Sequence, residues 1–276
     1  MVGFAYILSP NIFSMGRDKE MERASMKLDR IIAVRNDKTE YRDGDRCIKV
    51  FNSEYSKSDV LNEALNQTRA NELGIRVPQI SEVGEVNGKW AIISEYIRGK
   101  TLAQLISEDK DNVRSHIELF SELQRSVHSK DASAFARLSD GIKRKISLSD
   151  SDDDEKHWLS VLLEGLSVRD NSLCHGDFNP SNVIISNQGE PYIIDWPHAA
   201  RGDAAADAAY TYLMFCINED DALAHTYLDI FSEKSNISKK HIEKWMSVIA
   251  VSQSVKGNEK KREFLIDWEF KHRNNW

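Results

Sequence analysis

Residues 172–197, "SLCHGDFNPSNVIISNQGEPYIIDWP", restrict this chain more than any other stretch. Two short apolar runs, Val183-Ile184-Ile185 and Tyr192-Ile193-Ile194, enclose Asn187-Gln188-Gly189-Glu190. Branched and aromatic runs of that length around an Asn- and Gly-containing turn predict a β-hairpin. In an antiparallel hairpin the start of one strand lies beside the end of its partner. Asn182 enters the first strand and Asp195 leaves the second, so their oxygen-bearing side chains are expected to be neighbours. Asp177 precedes Asn182 by five residues in the tight loop "HGDFNPSN". Singly, each is an ordinary turn residue. Together, carboxylate and amide oxygens converging on one loop are what a hard cation such as magnesium takes, usually alongside substrate phosphates.

Upstream the pattern is different. Ile31–Val34 and residues 47–51 read as strands, separated by a polar stretch and an Asp43-Gly44-Asp45 turn. Residues 78–86 and 89–96 read as a second hairpin about Asn87-Gly88. Asp-Gly and Asn-Gly pairs accept the positive φ that tight hairpin turns need. Between the hairpins, Val60, Leu61, Ala64, Leu65 and Thr68 recur at helical spacing, with Ser58 or Asp59 as the expected cap and an end near Gly74. After a turn at Gly99 the chain becomes mainly helical. Thr101 and Gln104 form a capping box, and Val113, Ile117, Phe120, Leu123 and Val127 mark the next helix. Further helices are expected over 158–166, 204–217, 223–231, 239–255 and 264–276.

At 276 residues the chain is long enough for one large domain or two lobes. Residues 1–25 show no sustained period and read as a dispensable extension; 26–97 form a β-rich lobe and 98–276 a helical one. A net charge of −7 argues against nucleic acid, which needs a Lys and Arg surplus. Lys143-Arg144-Lys145 and Lys260-Lys261-Arg262 are short and read as solvated helix faces. No apolar run is long enough for a membrane span. Cys47, Cys174 and Cys216 are odd in number and far apart, which fits a reducing cytoplasm rather than a disulfide framework. The oligomeric state is left open.

The order H-x-D-x-x-x-x-N, strand pair, Asp matches the kinase pattern of catalytic loop and metal aspartate. "HGDFNPSN" with "IIDW" resembles the aminoglycoside phosphotransferase and choline kinase family, over roughly residues 27–255. The resemblance implies an α+β, protein-kinase-like fold with a small β-rich N-lobe carrying one main helix and a larger, mostly helical C-lobe. It implies a kinase that moves the γ-phosphate of ATP, with Mg2+, to a hydroxyl of an aminoglycoside-, macrolide- or choline-like acceptor. Asp177 would be the catalytic base, Asn182 and Asp195 the magnesium ligands, and His175 a brace for the loop. Lys49 in "CIKVF" would meet the phosphates and Glu63 would hold Lys49. In "IISEYIRG" the Glu95 carbonyl and the Ile97 amide would contact adenine. An atypical protein Ser/Thr kinase and a non-catalytic pseudokinase share these pieces.

Two departures stand out. "VRNDKTEY", expected to be the loop over the phosphates, has no glycine, which makes Lys38 and Thr39 the candidate contacts. Trp196-Pro197 stands where kinases carry Phe-Gly, and proline's fixed φ predicts a rigid metal loop. Asp203 and Asp207 read as helix-capping and packing residues. The acidic runs 150–155 and 219–221 would favour a cationic acceptor wherever they line its site.

Overall fold

The computed structural model describes residues 26–35, 37–168, 171–218, 220–255 and 259–272; the expected extension over 1–25 lies outside the described residues. The chain forms two compact units, one reaching Asn62 and including Gln79–Tyr96, the other made of Glu63–Pro78 and everything from Ile97.

The first unit is an antiparallel sheet of β1 (Ile31–Val34), β2 (Lys38–Asp43), β3 (Arg46–Phe51), β4 (Ile80–Val86) and β5 (Lys89–Glu95), in the order β1-β2-β3-β5-β4. Both predicted turns have the backbone they need: Gly44 has φ +64°, and Asn87 and Gly88 have φ +52° and +74°. Ile48, Val50, Val86, Ala91 and Ile93 form its core. The polar stretch before Tyr41 is itself a strand, because β2 is paired on both sides and its backbone groups are thereby satisfied. Lys38 and Thr39 lie opposite Phe51 and Val50 in that ladder and do not form a loop.

Helix α1 (Lys57–Glu72) begins ahead of the predicted cap at Ser58 or Asp59, since the Ser56 hydroxyl accepts from the Asp59 amide at 3.2 Å. Its last turns belong to the second unit, where Ala70, Ile75 and Val77 join the main core. That unit continues with β6 (Gly99–Thr101), α2 (Leu102–Glu108), α3 (Val113–His128), α4 (Leu138–Ser147) and α5 (Asp153–Leu166). Then come β7 (Ser172–Cys174), β8 (Val183–Ser186), β9 (Pro191–Ile193), β10 (Ala200–Gly202), α6 (Ala204–Ile217), α7 (Asp221–Ser235), α8 (Lys239–Ser254) and α9 (Glu259–His272). The capping box at Thr101 is present. Gly99 is not a turn residue: β6 pairs with β8, and a Cβ at Gly99 would lie 2.0 Å from the Ile185 carbonyl oxygen. The acids before Trp158 start α5 early, with Asp152 as its cap.

Helix α6 sits at the centre. Its alanines at 204, 205, 206, 208 and 209 are all buried, and small side chains let α7, α8, α9 and β7 approach it from several sides. Phe120 and Ile117 of α3 and Trp245 of α8 fill the same core. Among the described residues no helix is long and apolar enough to cross a membrane.

Candidate active site

The loop between β7 and β8 carries His175, Asp177, Asn179 and Asn182. Gly176 at its apex has φ +79°, and a Cβ there would lie 2.5 Å from the His198 carbonyl oxygen, so only glycine fits. The loop backbone hangs on one carboxylate. Asp207 of α6, 2% exposed, accepts from the Gly176 amide at 2.8 Å and the His175 amide at 3.3 Å. Its Oδ2 also meets His128 Nε2 at 2.9 Å. Burial alone would raise the Asp207 carboxyl, but the bond and charge from His128 and the Gly176 amide more than offset it and hold the group below its ordinary value. On the far side of the loop the Phe178 carbonyl accepts from Thr211 Oγ1 at 2.7 Å, within a buried chain running through Gln124 to the Tyr227 hydroxyl.

His175 is fully buried. Its Nδ1 accepts from the Asp177 amide at 3.3 Å, so Nε2 carries the hydrogen and donates to the Ile194 carbonyl at 3.0 Å. The histidine thus ties the Asp177 loop to the strand that delivers Asp195. Asp195 is 3% exposed and has φ +66°, a conformation costing a non-glycine residue roughly 1–3 kcal/mol unless its surroundings enforce it. They do. Trp196, wholly buried, donates its indole N–H to the Ile193 carbonyl at 3.0 Å, and Asn66 of α1 donates to the Trp196 carbonyl at 3.1 Å.

The hairpin places Asn182 beside this segment: Val183 pairs with Ile193, and the Ile194 amide donates to the Asn182 carbonyl at 2.9 Å. Asn182 is fully buried, with Nδ2 turned to Asp177 Oδ2 at 3.1 Å, so any ion would be met by its Oδ1. The donor set suits magnesium: one buried carboxylate and one amide oxygen, with the remaining coordination left to phosphate and water. Among the described residues no cluster of three or more His, Cys, Asp or Glu stands ready to enclose a cation by itself.

Asp177 is half-buried and held from three sides. Asn179 Nδ2 donates to Oδ1 at 3.0 Å, Asn182 Nδ2 donates to Oδ2, and the Tyr210 phenol of α6 hydrogen-bonds to the same carboxylate. Burial first, and the Asp177 charge second, push the Tyr210 hydroxyl well above its ordinary value, so it stays a donor. Asn179 also caps the 3-10 turn Pro180–Asn182 by accepting from the Ser181 amide at 3.0 Å. A cavity of about 250 Å³ opens beside this turn, lined by Asn179, Pro180, Ser181, Ile106 and Met214. Asp220, from the second acidic run, lines it as Lys110 does; the first run caps α5 instead.

In the first unit Lys49 lies on central strand β3, its side chain 12% exposed, and Glu40 of β2 faces it at 3.9 Å. Glu63 of α1, which belongs to the second unit, is 1% exposed. Glu95 ends β5, and Ile97 is buried just beyond it. Sequence reasoning missed the anchoring bonds of Asp207, the Tyr210 contact and Glu40. Asp207 carried a signal: a carboxylate inside an otherwise alanine-rich helix must find partners when that helix is buried.

The family model of the phosphotransferase enzyme family, APH, matches residues 34–237. The chain belongs to this family. It is therefore a small-molecule phosphotransferase, a kinase acting on hydroxyl groups. No curated protein matches it. Among solved structures, an aminoglycoside-3'-phosphotransferase of type VIII is similar at 20% identity, covering 86% of this chain and 98% of that one, with a TM-score of 0.61. Choline kinase LicA from Streptococcus pneumoniae is similar at 18% identity over 95% and 100%, with a TM-score of 0.65. Aminoglycoside phosphotransferase APH(4)-Ia, in a ternary complex with AMP-PNP and hygromycin B, is similar at 17% identity over 92% of each chain, with a TM-score of 0.61. These likenesses establish the kinase-like α+β fold.

Proposed function

We propose that this phosphotransferase uses ATP with Mg2+ and transfers the γ-phosphate to a hydroxyl of a single-ring or amino-alcohol acceptor. The observation that carries the reading is the fixed Asp177 carboxylate, held by Asn179, Asn182 and Tyr210, of which Asn179 also lines the 250 Å³ cavity. Asp177 would accept the hydroxyl proton and aim the oxygen at the phosphorus. Asn182 Oδ1 and the Asp195 carboxylate would hold the metal, which would supply charge neutralisation for the phosphates. Lys49 would meet the phosphates with Glu63 as its support, and the Glu95 carbonyl and Ile97 amide would seat adenine. The cavity carries one carboxylate and one ammonium among its described residues, which favours an acceptor of low net charge over a polycation.

A protein acceptor is disfavoured. The segment after Asp195 is short and paired: Ala200–Gly202 forms β10 against β7, leaving no activation segment on which a peptide could lie. The test is ATP consumption across amino alcohols, monosaccharides, aminoglycosides and macrolides, with a generic protein mixture in parallel. One small alcohol should be phosphorylated, and Asp177→Asn should slow that reaction about 10²- to 10⁴-fold while remaining folded. Phosphate appearing only on protein Ser or Thr would overturn the assignment.

A further inference from the structure

Glu40 is a carboxylate placed where the proposed nucleotide site would be expected to have none. It lies directly opposite Lys49 in the β2–β3 ladder and is 8% exposed. Its Oε1 makes no hydrogen bond and stands 3.9 Å from the Lys49 ammonium. An exposed cross-strand pair of this kind contributes roughly 0.2–1 kcal/mol to a sheet. This one is buried, and burying a carboxylate with an oxygen left unbonded is costly. The chain therefore keeps, beside its phosphate-binding lysine, an anion that the fold alone would not favour.

We propose that Glu40 is a built-in competitor for Lys49, occupying the ammonium in the nucleotide-free protein and opposing the phosphates that must replace it. This rests on Lys49 being the phosphate contact. A phosphate oxygen bonded to the ammonium would come within about 5 Å of the Glu40 carboxylate. At an effective dielectric of about 20 that like-charge pair corresponds to roughly two powers of ten in affinity. Rotation of Glu40 and screening by ions reduce this. Glu40 thus sets nucleotide affinity low and makes it depend on charge neutralisation by the divalent cation and on the number of phosphates. The missing glycine-rich loop and the opposing carboxylate act in the same direction, toward a protein that releases nucleotide readily.

The experiment is calorimetric titration of the full chain with ATP, ADP and adenosine, each with magnesium. Wild type is compared with Glu40→Gln, Glu40→Ala and Lys49→Met, and thermal melts check folding. Both Glu40 variants should bind ATP about tenfold more tightly than wild type, ADP with a smaller gain and adenosine with none. Unchanged or weaker ATP binding in both, with binding lost in Lys49→Met, would overturn the competitor role and leave the nucleotide site intact. An equal gain for adenosine would also overturn it, since the effect would then be one of shape. Nucleotide binding by neither wild type nor variants would overturn both the competitor and the site on which it rests.

Discussion

Replacing Asp207 with alanine should separate the catalytic loop from its support. The substitution leaves His128 Nε2, bonded at 2.9 Å, and the Gly176 amide, bonded at 2.8 Å, facing a void that water does not reach. A buried histidine nitrogen stripped of its hydrogen-bond partner costs about 1–3 kcal/mol. The freed amide of Gly176 adds about 1–3 kcal/mol, less whatever relaxation of the loop recovers. A net loss of about 3 kcal/mol is expected, together with a fall in turnover, because Asp177 rides on the same backbone. The pH dependence has a definite sign. The folded carboxyl titrates below its ordinary 3.8, so on acidification the unfolded chain takes up this proton first. The stabilisation is full above about pH 4 and disappears as the pH falls through the lower folded value. Urea denaturation followed by tryptophan fluorescence at pH 7 and at a second pH well below 3.8 measures both effects, with Asp207→Asn as the milder variant. The stability gap between wild type and Asp207→Asn should narrow only toward the acid end. A loss under about 1 kcal/mol at pH 7 would refute the anchoring argument.

Other outcomes follow from individual contacts. Tyr210→Phe should lower kcat about tenfold with little change in melting temperature or in KM for ATP, since it removes one of three bonds orienting Asp177; unchanged kcat would assign the phenol to packing. Asp195→Ala should abolish the magnesium dependence of ATP binding, read by titration with and without the ion. Gly99→Ala should destabilise the chain by more than about 2 kcal/mol, because a methyl cannot pass the Ile185 carbonyl without parting β6 from β8; a melt within a degree of wild type would contradict that. Burial pushes the Cys216 thiol up to about 12, so at pH 8 iodoacetamide should label half-exposed Cys47 well before Cys216 by mass spectrometry.

The hairpin was legible because its two strands alternate with unmistakable turn residues, and the positions of Asn182 and Asp195 follow from antiparallel pairing alone. The same logic failed for Ser172–Cys174 and Ala200–Gly202: three residues carry no period, and their pairing is fixed by the loops that bring them together. Lys38–Asp43 was misread because four of its six residues are charged and only Thr39 and Tyr41 favour a strand; two neighbouring strands override its weak propensity. The bracing role of His175 was legible, whereas its tautomer needed the two bonds seen at Asp177 and Ile194. Tyr210 and Glu40 were hidden for a common reason. Each acts through a residue distant in sequence or across a ladder, and neither stands in a recognisable pattern.

Helix α6 divides its labour along its axis. Asp207 and Tyr210 in the first half hold the loop that carries Asp177, while Met214 and Phe215 in the second half border the cavity. One or two turns separate the two sets, about 5 to 10 Å of a rigid rod. Acceptor preference can therefore drift through substitutions near the C-terminal end of this helix while the reaction itself is left alone, and a lineage built on this scaffold can try new alcohols without first losing the old chemistry.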